Sequence, residues 1–292
     1  MKLINSKSWV ILQEKGLLGV YKQIELAGRT AYKSEDKVTE NSSEKFVNML
    51  LTNGHYSPLE FGTVYLQIPT NINPEIIIFY DSNPYSRVNF DDEWYYVTTN
   101  ARVIVENEKQ DDLKYFCDYN KHFEQRITAK IICDRATGNE IVRHRAFSYC
   151  QESSRFCNYS KDKFNNQVQF VIPYWLDLEE GDYSEIWYDF VDDKNKIIVN
   201  GEVHRFDIND LPYKTEAFIN HCSTCETTYL QSIKNGLKPQ EARNFLPLSL
   251  KTEITMCGFI SDWEHFFALR TAQSAHPDIQ IIAKQLKEEI CP

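Results

Sequence analysis

The chain has 292 residues, with 32 Lys and Arg against 42 Asp and Glu, a formal net charge of −10 and 42% hydrophobic residues. That is enough for a substantial core in one large or two small domains. The acidic balance argues against a nucleic-acid backbone or an anionic membrane surface as partner, and no window approaches the ~18–20 apolar residues of a spanning helix.

Residues 1–19 carry scattered charge and do not read as a secretory signal. Eight cysteines without such a signal point to reduced thiols in a cytoplasmic setting. Residues 18–32 have the spacing of an amphipathic helix. A second helix starts near Ser42-Ser43-Glu44 and stops at Asn53-Gly54. Residues 64–68 read as a strand ended by Pro69. Residues 72–126, rich in Asn, Asp, Tyr and Glu, read as an insertion containing a strand at 101–106. Residues 127–133 form a second strand, Asp134 caps a helix running into Arg143, and 168–172 form a third strand. The acidic stretch 178–211 reads as another insertion. Beyond Pro212 the pattern turns helical, including 239–246, 250–260, 262–272 and 278–290. The expected fold is α+β: a single domain over residues 1–292 with a central, mostly antiparallel sheet, flanking helices and a helical C-terminal third.

The densest chemistry lies in Arg143-His144-Arg145 and, after seven residues, Ser153 and Arg155. Arginine presents five donors in a rigid fork and keeps its charge, so this cluster calls for anions. If residues 151–156 are extended, Gln151, Ser153 and Arg155 share one side. On a helix, Arg143 and Arg145 diverge by roughly 200° and serve two different groups. Arg243 and Arg270 sit farther on among apolar neighbours, where a buried charge needs a partner.

The Arg-His-Arg, seven residues, Ser arrangement resembles the signature of the flavin-dependent thymidylate synthases. Four further segments resemble that family: Ala27-Gly28-Arg29-Thr30-Ala31-Tyr32, similar to its N-terminal helix, Gly54-His55-Tyr56-Ser57-Pro58-Leu59-Glu60-Phe61, the stretch Ala242 to Leu248 around Arg243, and the stretch Phe266 to Arg270, in the family's order. The resemblance implies a homotetramer with FAD and dUMP bound between subunits, and methylenetetrahydrofolate and NADPH as co-substrates. It implies FAD contacts from Ser57, Arg143, His144, Arg145, Gln151, Phe259 and His265. It implies dUMP contacts from Glu140, Arg143, Gln151, Ser153, Arg155, Arg243 and Arg270, with Arg270 activating the base. Glu140 stands where many members have glutamine, Gln151 where many have an acid, and Phe259 where asparagine is common.

Rival readings are a non-catalytic flavin- or nucleotide-binding relative and an RNA-binding protein, the latter opposed by the acidic balance. Cys222 and Cys225 form a CxxC beside His221, yet no second ligand pair lies at zinc spacing, so core cysteines and no metal are expected.

Overall fold

The computed structural model describes residues 1–183, 187–189, 194–199, 201–207 and 213–291. Its central sheet has four strands, in the order Lys7–Ile11, Arg126–Asp134, Lys251–Phe259 and Ser148–Gln151. Every neighbouring pair is antiparallel. Lys251–Phe259 lies inside the sheet, and all nine of its residues are buried.

Side chains alternate across that strand. Ile254 and Met256 face a core built from Trp263, Phe266 and Phe267 of helix Ile260–Arg270 and Ile279, Ile282 and Leu286 of helix Pro277–Ile290. Thr255 and Cys257 face the opposite way, towards helix Gly16–Tyr32. There Thr30 and Thr255 share a hydroxyl hydrogen bond of 2.9 Å, and Ala27, Phe61, Cys150 and Cys257 pack together.

Two further layers extend the molecule. The strands Arg87–Phe90, Trp94–Asn100, Thr63–Pro69 and Phe116–Cys117 form an antiparallel sheet. It packs on helices Gly16–Tyr32 and Ser42–Thr52 through Val20, Ile24, Val47, Leu50 and Leu66. Lys2–Ile4 pairs parallel with Gln169–Val171 and antiparallel with Gly181–Asp182, over a core shared with Ile219, Cys222 and Tyr229 of helix Tyr213–Lys234. The strands Trp187–Asp189, Lys194–Val199 and Glu202–Asp207 form an antiparallel unit inside the acidic segment. The rest of 178–211 after Tyr183, apart from Gly201, lies outside the described residues. Among the described residues, no helix is long and apolar enough to cross a membrane.

The α+β class agrees with the sequence reading, as do the strands at 64–68, 127–133 and 168–172. Two elements differ. Ala101–Glu106 is a helix rather than a strand, because the Asn100 side chain accepts from the Val103 amide at 3.1 Å and caps it. Residues 250–260 hold the innermost strand rather than a helix. A strand buried on both faces ordinarily reads as a continuous apolar run, and the polar Lys251, Thr252 and Glu253 break that run here.

Trp263 is fully buried. Its ring meets Phe147, Phe266 and Phe267, and its indole N–H donates to the Ile127 carbonyl at 3.1 Å. Trp263→Ala is expected to cost about 3–5 kcal/mol in denaturant unfolding, from the cavity and the orphaned carbonyl. A loss below about 1 kcal/mol would show that this contact is not what joins helix to sheet.

Candidate active site

Three residues, from two helices and a turn, meet in one cluster. Asp134 caps helix Arg135–Ile141 by accepting from the Thr137 amide at 2.8 Å and its hydroxyl at 2.6 Å. The helix places Glu140 beside the turn that carries His144. Helix Ile260–Arg270 presents Phe266 and Arg270 four residues apart, hence on one face. Arg270 Nε donates to His144 Nε2 at 2.8 Å, Nη1 to Glu140 Oε2 at 3.1 Å and Nη2 to the Glu140 carbonyl at 3.3 Å. The His144 ring lies edge-on to Phe266, with centroids 4.9 Å apart.

The histidine is neutral in this arrangement. Its Nε2 accepts from a guanidinium and so carries no proton. Burial first, and then the charges of Arg270 and His265, push its pKa from the ordinary 6.5 down to about 4. The turn is held from below by Tyr149, whose hydroxyl lies 2.8 Å from the His144 carbonyl and 2.9 Å from that of Ile141.

Gln151 ends its strand opposite Ile254 and donates through Nε2 to Thr252 Oγ1 at 3.1 Å. Gly138 makes this approach possible. A Cβ there would stand 3.2 Å from Thr252 Cγ2 and 3.3 Å from Gln151 Nε2, which accounts for a glycine inside a helix.

Other expected residues are placed apart. Arg143, Arg145 and Arg243 are exposed, and their side chains make no hydrogen bond or ion pair with another described residue. Arg155 is exposed, its guanidinium 5.1 Å from the Phe156 ring. His265 is exposed on the outer side of its helix. Ser57 lines a cleft of about 990 Å³ together with His55, Tyr32, Phe46 and Lys163. Phe259 is buried beneath two cations, with Arg87 at 4.5 Å and Arg126 at 5.4 Å from its ring. The Cys225 sulfur lies 3.7 Å from His221 Nε2, while Cys222 is in the core.

Two geometric expectations change. The helix ends at Ile141, so Arg143 and Arg145 occupy a turn, and the 3.6-residue argument for their divergence does not apply. The strand ends at Gln151. The Ser153 carbonyl accepts the amides of Phe156 and Cys157 at 3.0 and 2.9 Å, which bends the chain before Arg155. Gln151, Ser153 and Arg155 therefore do not alternate along one strand.

Sequence reasoning missed Tyr149, Thr252, Arg87 and Arg126. Tyr149 falls in no element read from the sequence, and Thr252 falls in the stretch 250–260 read as helical. The two arginines lie in segments where no motif marks them.

Between pH 6.5 and about 4 the folded chain binds fewer protons at His144 than the unfolded chain does. Stability carried by neutral His144 is thus complete above that window, declines as the pH falls through it, and levels off below. His144→Gln keeps an acceptor for Arg270 but cannot titrate. The difference in thermal midpoint between wild type and variant is expected to shrink as pH falls from 6.5 to 4.5. A difference independent of pH would refute the neutral assignment.

Comparison with known proteins agrees with the family resemblance. Residues 95–292 match the family described as thymidylate synthase complementing protein. A flavin-dependent thymidylate synthase from Pyrococcus abyssi is 25% identical over 158 residues, 54% of this chain and 51% of that protein. One from Pyrococcus furiosus is 26% identical over the same shares, and one from a Synechocystis species is 25% identical over 73% of this chain and 89% of its own length. The chain thus spans about half the length of the Pyrococcus relatives. A solved structure of a UMP/dUMP methylase, PolB from Streptomyces cacaoi bound with 5-Br dUMP, is similar at a TM-score of 0.43 and 15% identity, covering 99% of this chain and 91% of that one. With more than half of its length matched from Trp94's neighbour Tyr95 onward, the chain belongs to the thymidylate synthase complementing protein family.

Proposed function

We propose that this protein is a flavin-dependent thymidylate synthase that converts dUMP to dTMP. The observation that carries the reading is the Arg270 guanidinium held on His144 and Glu140, beside the Arg143-His144-Arg145 turn. Of its five N–H donors three are engaged, so two remain for a ligand. A fixed cation with free donors can stabilise negative charge developing on a uracil ring, which is the step that activates the base.

The residues present fit FAD. Arg143 and Arg145 are exposed guanidiniums with no carboxylate partner among the described residues of an acidic chain, as a pyrophosphate requires. The cleft at Ser57, about 990 Å³, is at the upper end of the range for ligand pockets. Ser57, Arg143, His144, Arg145, Gln151 and His265 would hold the flavin. Bound FAD, reduced by NADPH, would supply the hydride that turns the methylene carbon of methylenetetrahydrofolate into the methyl group of dTMP, with tetrahydrofolate released. Ser153, Arg155 and Arg243 would hold the nucleotide, Arg155 and Arg243 as cations and Ser153 through its hydroxyl.

The cleft at Ser57 is lined without Glu140, His144 or Arg270, which favours a site completed by a second copy of the chain, within a homotetramer. Light scattering of the purified protein tests that assembly.

A yellow preparation with a flavin spectrum, and dTMP formed from dUMP, methylenetetrahydrofolate and NADPH, is the expected result. Flavin without dTMP would instead indicate a binding relative that does not catalyse, and no flavin would refute both. Arg270→Ala is expected to keep its flavin and lose at least about a hundredfold in kcat. Arg155→Ala is expected to raise the Kd for dUMP by about tenfold or more while leaving flavin content unchanged. Normal turnover in the first variant, or preferential flavin loss in the second, would reverse those role assignments.

A further inference from the structure

The signature segment contains one residue to which neither the motif nor the resemblance assigns a role. Glu152 sits between Gln151 and Ser153 and is 1% exposed. Its Oε1 accepts from the Tyr159 hydroxyl at 3.0 Å and its Oε2 from Lys251 Nζ at 2.8 Å. Its backbone is fixed as well. The amide donates to the Glu253 carbonyl at 2.8 Å, and the carbonyl accepts from Arg135 Nη2 at 3.1 Å.

The Glu152–Lys251 contact opens a buried chain of charges. Lys251 continues to Glu253 Oε1 at 2.6 Å. Glu253 takes Lys33 at 2.9 Å and Lys130 at 3.0 Å, and both lysines reach Glu35 Oε1 at 3.1 Å. Glu35, Glu152 and Glu253 balance Lys33, Lys130 and Lys251. Burial alone would raise the Glu253 carboxyl, but Lys251, Lys33 and Lys130 outweigh it and hold the group below the usual carboxylate range.

Such a network adds little net stability over an apolar replacement, because desolvation offsets the attraction. What it does specify is geometry. Lys251 and Thr252 are successive residues of the innermost strand, so their side chains leave by opposite faces. Glu152 bonds the first and Gln151 the second. A one-residue slip would turn Glu152 to the Gln151 face and leave the Lys251 amine buried without it. The ion pair on one face therefore dictates which side chains the other face presents.

We propose that Glu152 is a positioning residue: its bonds to Lys251 and Tyr159 lock the register of the signature segment, so that Gln151 and Ser153 are presented to the nucleotide. The proposal rests on the thymidylate synthase reading for the identity of that nucleotide, but the lock itself does not.

The test compares the flavin-loaded wild type with Glu152→Gln and with the double variant Glu152→Gln/Lys251→Met. The first keeps shape and a bond to Tyr159 but leaves a buried lysine in excess. The double variant balances the charges again without restoring the lock. In Glu152→Gln the KM for dUMP is expected to rise about tenfold, with kcat at saturating dUMP within about twofold of wild type. In the double variant the thermal midpoint recovers while KM stays high. A KM that is unchanged in the single variant, or that recovers together with the midpoint, overturns the proposal, because a merely structural role follows stability. If the wild type fails to bind dUMP, the functional reading fails on its own. Amide hydrogen exchange over residues 151–157 then decides the matter. Faster exchange there in the double variant, at recovered stability, supports the lock; unchanged exchange overturns it.

Discussion

The fold depends on one strand that is buried on every side. Lys251–Phe259 pairs with Arg126–Asp134 along its whole length and with Ser148–Gln151 over Ile254–Cys257, so over those residues both rows of backbone groups are satisfied within the sheet. Its two faces carry different contents. Ile254 and Met256 close an apolar core, whereas Lys251 and Glu253 bring charges inside and Thr255 a hydroxyl. A strand of this kind tolerates no shift, because moving it by one residue would place lysine and glutamate in the apolar core. Whatever the neighbouring strand presents at its end inherits that fixed register.

Cations are distributed in two distinct ways. Lys33, Lys130, Lys251 and Arg270 are held by carboxylates at 2.6–3.1 Å. Arg143, Arg145 and Arg243 stand exposed and unpaired among the described residues. In a chain of net charge −10, exposed arginines with no acidic partner are a poor choice for a solvated surface, where ion pairs form easily but contribute little. The paired cations build the frame, and the unpaired ones are those to which the proposed function assigns ligands.

The signature segment and Arg270 were legible in the sequence because their residue types and spacing survive whatever the backbone does. The backbone itself was less legible. The helix capped by Asp134 was visible from its cap, but its end was not. Its termination at Ile141 depends on the turn held at Tyr149, a contact from the next strand. The innermost strand was less legible because Lys251, Thr252 and Glu253 are three polar residues in a row, which a strand buried on both faces ordinarily lacks. Their polarity is resolved by partners as distant in sequence as Lys33 and Glu152. Local pattern reports local structure, and a buried charge network is a tertiary fact.

The Glu140–His144–Arg270 contact ties these points to chemistry. Arg270 can donate to His144 Nε2 only while that nitrogen lacks a proton. Protonation would set two cations in contact in a partly buried place, so the cluster loses its geometry at acid pH rather than merely gaining charge. Glu140 works in the opposite direction. Its carboxylate fixes Arg270 at 3.1 Å but also offsets part of the positive charge that the proposed reaction uses. A glutamine at this position would hold the guanidinium less firmly and leave its charge uncompensated. The carboxylate therefore favours a well-placed arginine over a strongly positive one. In a site where a partly formed anion must be met at a defined atom, placement within a few tenths of an ångström outweighs the charge that is lost.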